Sequence, residues 1–470
     1  MPKIDKRHND YDTFVSKWEL IDDICDEKNI EKYIIPINPD DLSQENKTRN
    51  EQYRKRAVFA AISGYTSRGL SGILFQKWPK LQIPKQLEYI KNNIDGSGTS
   101  IYQQSQGVGK SVIRKGRAGL LVDYPDTKGS NSTLADLQSL KVFPSVHRFE
   151  PEQIIDWGLS ANGAVVKLSR VVLLDTIHNE DSDMEVLREL VLVDGFYISR
   201  EYRKDLKTLK WELYSEHMPT DGAGNPWDEI PFIFVGSETN THTVDQPVLY
   251  NICRLNIGHL NNSAEYEDSV YMIGQPMFYA VGLTVPHVEE MEAAGMKIGS
   301  NRLFPIPDGG SAGIIQAQPN TLAKDAMDNK EKQMIALGAM FIAPGSAVKT
   351  ATQSQGEQQV QHSVLSLIAN NISEAYTKCL HWMARFLNVS DTQDIEYTVH
   401  QDFVPKQAEA QMYMALLAGT NAGTLPISDF ITWQQRNQII DPEKTVEEVK
   451  EELNYNSNTN IPDLDDGVYE

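Results

Sequence analysis

The chain has 470 residues, with 65 acidic against 44 basic side chains and a net charge of −21; at roughly 150 residues per domain it is too long for one core and should fold as about three parts. The acidity argues against a protein that grips nucleic-acid phosphates through clustered Lys and Arg. No apolar run approaches the ~20 residues of a membrane span, and three scattered cysteines (Cys25, Cys253, Cys379) speak against a disulfide framework or a zinc site.

The start, MPKIDKRHNDYDTF, has no apolar signal-peptide core, so synthesis in the cytoplasm is expected. In YDTFVSKWELIDDICD, Phe14, Trp18, Ile21 and Cys25 recur at the spacing of a helix. From Glu51 a long helix is expected, broken near Gly69 and Gly72, then a Pro-bounded turn and a second amphipathic helix. Arg54, Lys55 and Arg56 read as a solvated basic face. Residues 104–116, QSQGVGKSVIRKG, contain Gly-Val-Gly-Lys-Ser. A phosphate-binding loop needs Gly-x-x-x-x-Gly-Lys-Ser/Thr between a strand and a helix. The first glycine is replaced by Gln104, and the strand-like run follows the motif, so a helix feeding a strand is expected.

From about 117 to 236 the texture changes. AGLLVDYP, SVHRFEPEQIIDWGLS, AVVKLSRVVLLDTI, EVLRELVLVDGFYISREYR, KWELYSE and IPFIFVG are β-branched or aromatic runs separated by turn-formers. With the preceding helices they predict an α+β fold. HNEDSDME lacks the glycine and terminal glutamate of a calcium loop and reads as a hairpin tip. A long helix follows, with Val248, Ile252, Leu255 and Leu260 as its stripe and Gly274 and Pro276 at its end. A small strand-and-turn insert leads to the helix TLAKDAMDNKEKQMIALGAMF, stopped at Pro344. APGSAVKTATQSQGEQQ has no apolar period and reads as a loop. The strongest helical pattern comes next: Val360, Val364, Leu367, Ile368, Ile372, Ala375, Cys379, Leu380 and Met383. His362 and His381 on it read as surface or satisfied residues, not ligands. A strand in DIEYTVHQDF, two helices joined at Gly423 to Pro426, and an acidic, partly disordered end complete the chain. No catalytic constellation, metal site or cofactor motif is found.

The order of these parts resembles that of tailed-bacteriophage portal proteins, the head-to-tail connector ring at one capsid vertex. The resemblance runs from about residue 51 to 453. It is carried by RGLSGILFQKWPKLQIP, GRAGLLVDYP, HRFEPEQIIDW, LYNICRLNIGHLNNSAEYEDSVYMIGQPMFYAVG and ALGAMFIAPGSAVKTATQSQGEQQVQHSVLSLIANNISEAYTKCLHWMARFL, in their order and spacing. It implies an α/β wing over 1–245, completed by a long helix over 357–388. Stem helices over 246–274 and 321–342, a small α/β clip over 275–320, a tunnel loop over 343–356, a helical crown over 389–453 and an acidic tail over 454–470 are implied as well.

The resemblance further implies a virion protein without enzymatic activity or cofactor, in a ring that is typically dodecameric. Double-stranded DNA would pass through during packaging and ejection, without base readout. The implied partners are other copies of the chain, the terminase large subunit, the major capsid and scaffolding proteins and a head–tail adaptor, with no membrane. Ser346, Lys349, Thr350, Thr352, Gln353 and Gln355 of the tunnel loop would face DNA, Lys349 as the one basic group. B-DNA carries one charge per ~1.7 Å of axis, and a strongly basic channel would hold it by counterion release; an acidic chain avoids that. The alternatives are a head–tail adaptor or minor capsid protein, which does not need this order of parts, and a nucleotide-binding enzyme, which loss of nucleotide binding in Lys110→Ala would reveal.

Overall fold

The computed structural model describes residues 3–124, 143–162, 165–178, 183–205, 208–274, 277–293, 306, 308–315, 321–342, 363–401, 403, 410–436, 440 and 444–458. The chain divides into two compact units, Met1–Phe403 and Val404–Glu470.

In the first unit, helix α1 (Asn9–Cys25) begins where the His8 ring accepts the Asp10 N–H at 3.2 Å. Its spacing buries Phe14, Trp18, Ile21 and Cys25, as the sequence predicts. The single long helix expected from Glu51 is instead two, α2 (Gln44–Arg56) and α3 (Ile62–Leu74). The break falls at 57–61 and not at Gly69 or Gly72, both of which lie within α3 facing open space. At 57–61 the backbone is taken by side chains of a later helix. The Val58 N–H donates to Ser263 Oγ (3.1 Å), and Ala60 O accepts from Asn256 Nδ2 (2.8 Å). Backbone groups bonded in this way are lost to the helix ladder.

Helix α4 (Ile101–Lys115), capped by Ser100, carries Gly-Val-Gly-Lys-Ser in its interior. It closes on Gly116, whose left-handed backbone (φ 73°) lets its N–H reach Val112 O. A side chain there would stand 2.9 Å from Gln246 O. Just before the cap, Lys115 is almost wholly buried, with Nζ 2.7 Å from both Asp22 and Glu152 and 3.6 Å from Glu150. Its neighbour Arg114 bonds Asp26 at 2.8 Å, and the Trp18 indole N–H donates to Lys115 O at 3.1 Å.

Strands β2 (Arg117–Asp123), β3 (Ser145–Phe149) and β9 (Phe232–Gly236) form an antiparallel sheet in the order β3-β2-β9. Central β2 is buried along nearly its whole length, hence its unbroken apolar run. Strands β4 (Ile154–Asn162), β5 (Val165–His178), β6 (Asp183–Val193), β7 (Phe196–Lys204) and β8 (Trp211–His217) form a five-stranded antiparallel meander. The expected hairpin at HNEDSDME joins β5 to β6, His178 opposite Asp183, and its tip lies outside the described residues. Asp194 and Gly195, both at positive φ (53° and 88°), make the two-residue β6–β7 turn whose twist suits a hairpin. Both edges of the meander are blunted. On β4 the His8 N–H bonds Ile155 O (2.9 Å) and the His8 ring stacks on Trp157 (4.0 Å). Strand β8 bulges at Tyr214, whose neighbours Leu213 and Ser215 pair with consecutive residues of β7.

Helix α8 (Val364–Phe386), capped by Ser363, packs on β2, β9 and α4. Ile368, Ile372, Ala375, Cys379, Leu380 and Met383 are fully buried, while His381 is exposed. Asn371 Nδ2 donates to Gly236 O (2.9 Å), and the Tyr376 hydroxyl donates to Gln104 Oε1 (3.1 Å). Strand β12 (Glu396–Thr398) pairs antiparallel with β1 (Lys80–Gln82). Residues 389–403, expected to open the crown, therefore belong with the first unit, which is α+β.

The second unit holds α9 (Ala410–Asn421), α10 (Ile427–Arg436) and α11 (Val446–Asn458). The α9–α10 join falls at the predicted Gly423–Pro426, and Phe430, Ile431 and Val449 are buried. Thr445 and Glu448 cap α11 reciprocally, at 2.7 and 3.2 Å. Helix α11 runs into the segment expected to begin the tail, whose residues 459–470 lie outside the described ones.

Candidate functional site

Helices α5 (Tyr250–Ile273) and α7 (Thr321–Ile342) run side by side and antiparallel. His259 Nε2 lies 3.2 Å from Glu331 Oε1, and Asn262 Oδ1 accepts from Lys330 Nζ at 2.8 Å. The first half of α5 is embedded, with Ile252, Cys253, Asn256, Leu260, Ser263 and Ala264 buried. Past Ala264 no residue of α5 is buried, and Val270, Tyr271 and Met272 are 41% to 46% exposed.

Helix α7 is barer still. Among its described side chains only Ala323 and Met334 are buried, while Leu322 is 77% and Ile335 68% exposed. Each residue turns a helix by ~100°, so Ala323 and Met334 mark one inward face. Leu322 and Met340, about five turns apart, share a flank, and Ile335 lies on the other flank. The helix thus offers apolar groups on two different sides.

Between these helices, β10 (Met277–Val281) pairs antiparallel with β11 (Ser311–Ile315), and α6 (Val285–Ala293) lies between them in sequence. The insert predicted as strand and turn therefore also contains a helix. Gly282 (φ 85°) lets the chain pass Gly310, whose Cα would stand 3.0 Å from a side chain at that position. None of the described side chains of the insert is buried; Tyr279, Val281, Ile314 and Val285 are 43% to 71% exposed. A two-stranded ribbon has at best marginal stability by itself in water.

The pair is bolted down at its root. Buried Asn256 accepts at Oδ1 from the Ser63 N–H (3.1 Å) and Ser63 Oγ (2.9 Å), besides donating to Ala60 O. Asn261 donates to Tyr33 O (3.0 Å) and accepts the Ile35 N–H (2.9 Å). Asp268 receives Arg56 (2.9 Å) and Arg49 (3.2 Å), and the Arg56 guanidinium lies 3.6 Å over the Tyr271 ring. The basic run at 54–56, predicted to be a solvated face, thus gives Arg56 to α5. Asn256→Ala is expected to leave the buried Ser63 N–H without its acceptor, while Ala60 O keeps the Ile62 N–H, lowering stability by about 1–3 kcal/mol. Urea unfolding reads this; an unmoved midpoint would show that Asn256 does not fix the segment to α5.

At Gly-Val-Gly-Lys-Ser the backbone N–H groups are spent in the α4 ladder, Gly109 packs on Leu74 and Phe75, and Lys110 is exposed. No phosphate cradle forms. Ser346, Lys349, Thr350, Thr352, Gln353 and Gln355 lie outside the described residues, as do His362, Val360 and residues 294–305 of the insert. Among the described residues no cluster of three or more His, Cys, Asp or Glu could hold a metal, and no helix is long and apolar enough to cross a membrane. On α5, Arg254 stands against Glu265, Glu267 and Asp268; on α7, Lys324, Lys330 and Lys332 are matched by Asp325, Asp328 and Glu331. The pair is mildly acidic. Sequence reasoning missed the Asn256 and Asp268 anchors, which no local pattern marks.

Residues 248–387, from just before α5 to just after α8, match a family model described as a domain of unknown function (DUF4055). The solved structures similar to this chain include one described as "Neck of empty GTA particle computed with C6 symmetry". It is 14% identical, covering 80% of this chain and 91% of that chain at a TM-score of 0.41. Another, "Neck of native GTA particle computed with C12 symmetry", is 12% identical, covering 78% and 88% at a TM-score of 0.39. No curated protein matches the chain.

Proposed function

We propose that this chain is the subunit of a phage portal ring, with α5 and α7 as stem and β10, α6 and β11 as clip. The observation that carries this reading is the apolar dressing of α7 on two flanks. A closed ring needs heterologous contacts, in which one side of a subunit meets a different side of its neighbour. A helix with Leu322 and Met340 on one flank and Ile335 on the other has the means for both contacts. The insert, none of whose described side chains is buried, supports the same reading, because neighbouring copies would cover them.

The ring conducts double-stranded DNA without chemistry of its own. The acidic balance of α5 and α7 suits passage over binding, since few phosphates would be neutralised and few counterions released. Residues 343–356, Lys349 among them, are the tunnel loop of this reading, and the clip meets the packaging motor and later the tail adaptor.

Negative-stain microscopy with native mass spectrometry of the purified protein is expected to show rings with a central hole, typically dodecameric. Deleting residues 345–355 should leave those rings intact and impair DNA packaging or retention. Normal packaging by the deletion would reject the tunnel-loop role. A uniform monomer that also fails to assemble on capsid scaffold would reject the ring.

A further inference from the structure

Cys25 and Cys253 are 228 positions apart in the chain, yet their sulfurs stand 3.9 Å apart. Cys25 is the last residue of α1 and Cys253 lies in the first turn of α5, so their contact joins the N-terminal helix to the root of the paired helices. Both are buried, at 2% and 0% exposure. We infer that Cys25 and Cys253 form a reversible disulfide, a clamp between α1 and α5 that peroxide closes and thiols reopen. The inference goes beyond the ring reading and does not depend on it.

A disulfide holds its sulfurs about 2.05 Å apart, so each need move by only roughly 1 Å. The surroundings divide the labour between the two thiols. The hydrogen bond from Cys253 and the nearby Arg114 guanidinium pull the Cys25 thiol down against its burial and against Asp26 and Asp22. The same contact, with burial, pushes Cys253 up. Arg114 is held in place by Asp26, the residue after Cys25, at 2.8 Å. Cys25, next in the chain to the Asp26 that holds Arg114 and the less buried of the two at 2% against 0%, is assigned as the attacking sulfur.

Its thiolate attacks one oxygen of hydrogen peroxide, the O–O bond breaks, and the departing hydroxide leaves as water with the proton Cys25 lost. The resulting sulfenic acid is attacked by the Cys253 sulfur. The S–S bond forms as the S–O bond breaks, and the hydroxyl leaves as water with the Cys253 proton. Two thiols and one peroxide thus give one disulfide and two waters, the sulfur pair losing the two electrons that the peroxide gains. The loop so closed spans α1 to α5, and closing it restrains the unfolded chain.

The test treats the full-length, folded protein with hydrogen peroxide, quenches it, and unfolds it in excess N-ethylmaleimide before digestion without reductant. Mass spectrometry is expected to find the Cys25 and Cys253 peptides linked, with Cys379 carrying only maleimide. Dithiothreitol should reverse the link, and the oxidised protein should melt at a higher temperature than the reduced one. In Cys253→Ala, dimedone should trap a sulfenic acid at Cys25. The surface methionines Met218 and Met414, 47% and 63% exposed, gauge the dose. Free Cys25 and Cys253 at a dose that converts both methionines to sulfoxide would overturn the inference, as would links through Cys379.

Discussion

Ile335→Asp is expected to yield a folded subunit that no longer closes into rings. Ile335 is 68% exposed in the subunit, so its replacement should change stability by no more than about 0.5 kcal/mol. In the proposed ring the same position would be buried at every contact. Losing an aliphatic side chain there removes about 1.5–3 kcal/mol per interface, and a carboxylate in its place adds a desolvation cost. Size-exclusion chromatography with native mass spectrometry reads the result. Leu322→Asp on the other flank should behave alike. Mixing the two variants tests the geometry itself. Ile335→Asp keeps the Leu322 flank sound and Leu322→Asp keeps the Ile335 flank sound, so together they should give a capped pair and no ring. Rings of Ile335→Asp indistinguishable from the parent would remove the flank from the interface.

Lys115→Met should be the most damaging single change within the subunit, costing about 3–5 kcal/mol, because it leaves Asp22, Glu150 and Glu152 facing one another with their shared buried cation gone. Burial opposes the charge on Lys115, but Glu152, Glu150 and Asp22 outweigh it and hold its pKa above the usual lysine value. A raised lysine pKa gives stability that is complete below the unfolded value near 10.5 and is lost as pH climbs through the folded value. Burial already raises the Glu152 pKa above 4.5 despite Lys115, and removing the lysine raises it further. The deficit of the variant should therefore be full near neutral pH and shrink as pH falls through the raised Glu152 value towards 4.5. Thermal melts across that range check the sign. A deficit that stays constant with pH would mean that lost packing, not charge, is responsible.

What the sequence made legible follows from how far each signal reaches. The β-branched runs from β2 to β9 and the three-to-four spacing of α8 are local, and both emerge where predicted. The interior glycines of α3 look like breakers, yet the helix passes through them because Leu70 and Leu74 are buried on its core side while Gly69 and Gly72 face open space. The true break at 57–61 is imposed by Asn256 and Ser263, some 200 positions later in the chain. The β12–β1 pairing, the Lys115 cluster and the cysteine contact are likewise set by distant partners. For α7 the sequence predicts a helix. That its apolar groups face two ways, with only one face covered, needed the fold.

The insert between α5 and α7 has one more consequence. A ribbon and a helix whose described side chains are all unburied have little shape that the lone subunit can enforce. In a ring, adjoining copies would complete it, and its outer surface would become definite only then. A partner that recognises that surface would be blind to free subunits and would dock only on finished assemblies. The order of assembly in the proposed ring, ring first and visitor second, would need no separate checkpoint. Amide hydrogen exchange across residues 277–290 and 308–315, fast in the subunit and slow in the ring, would record the moment that the rule takes effect.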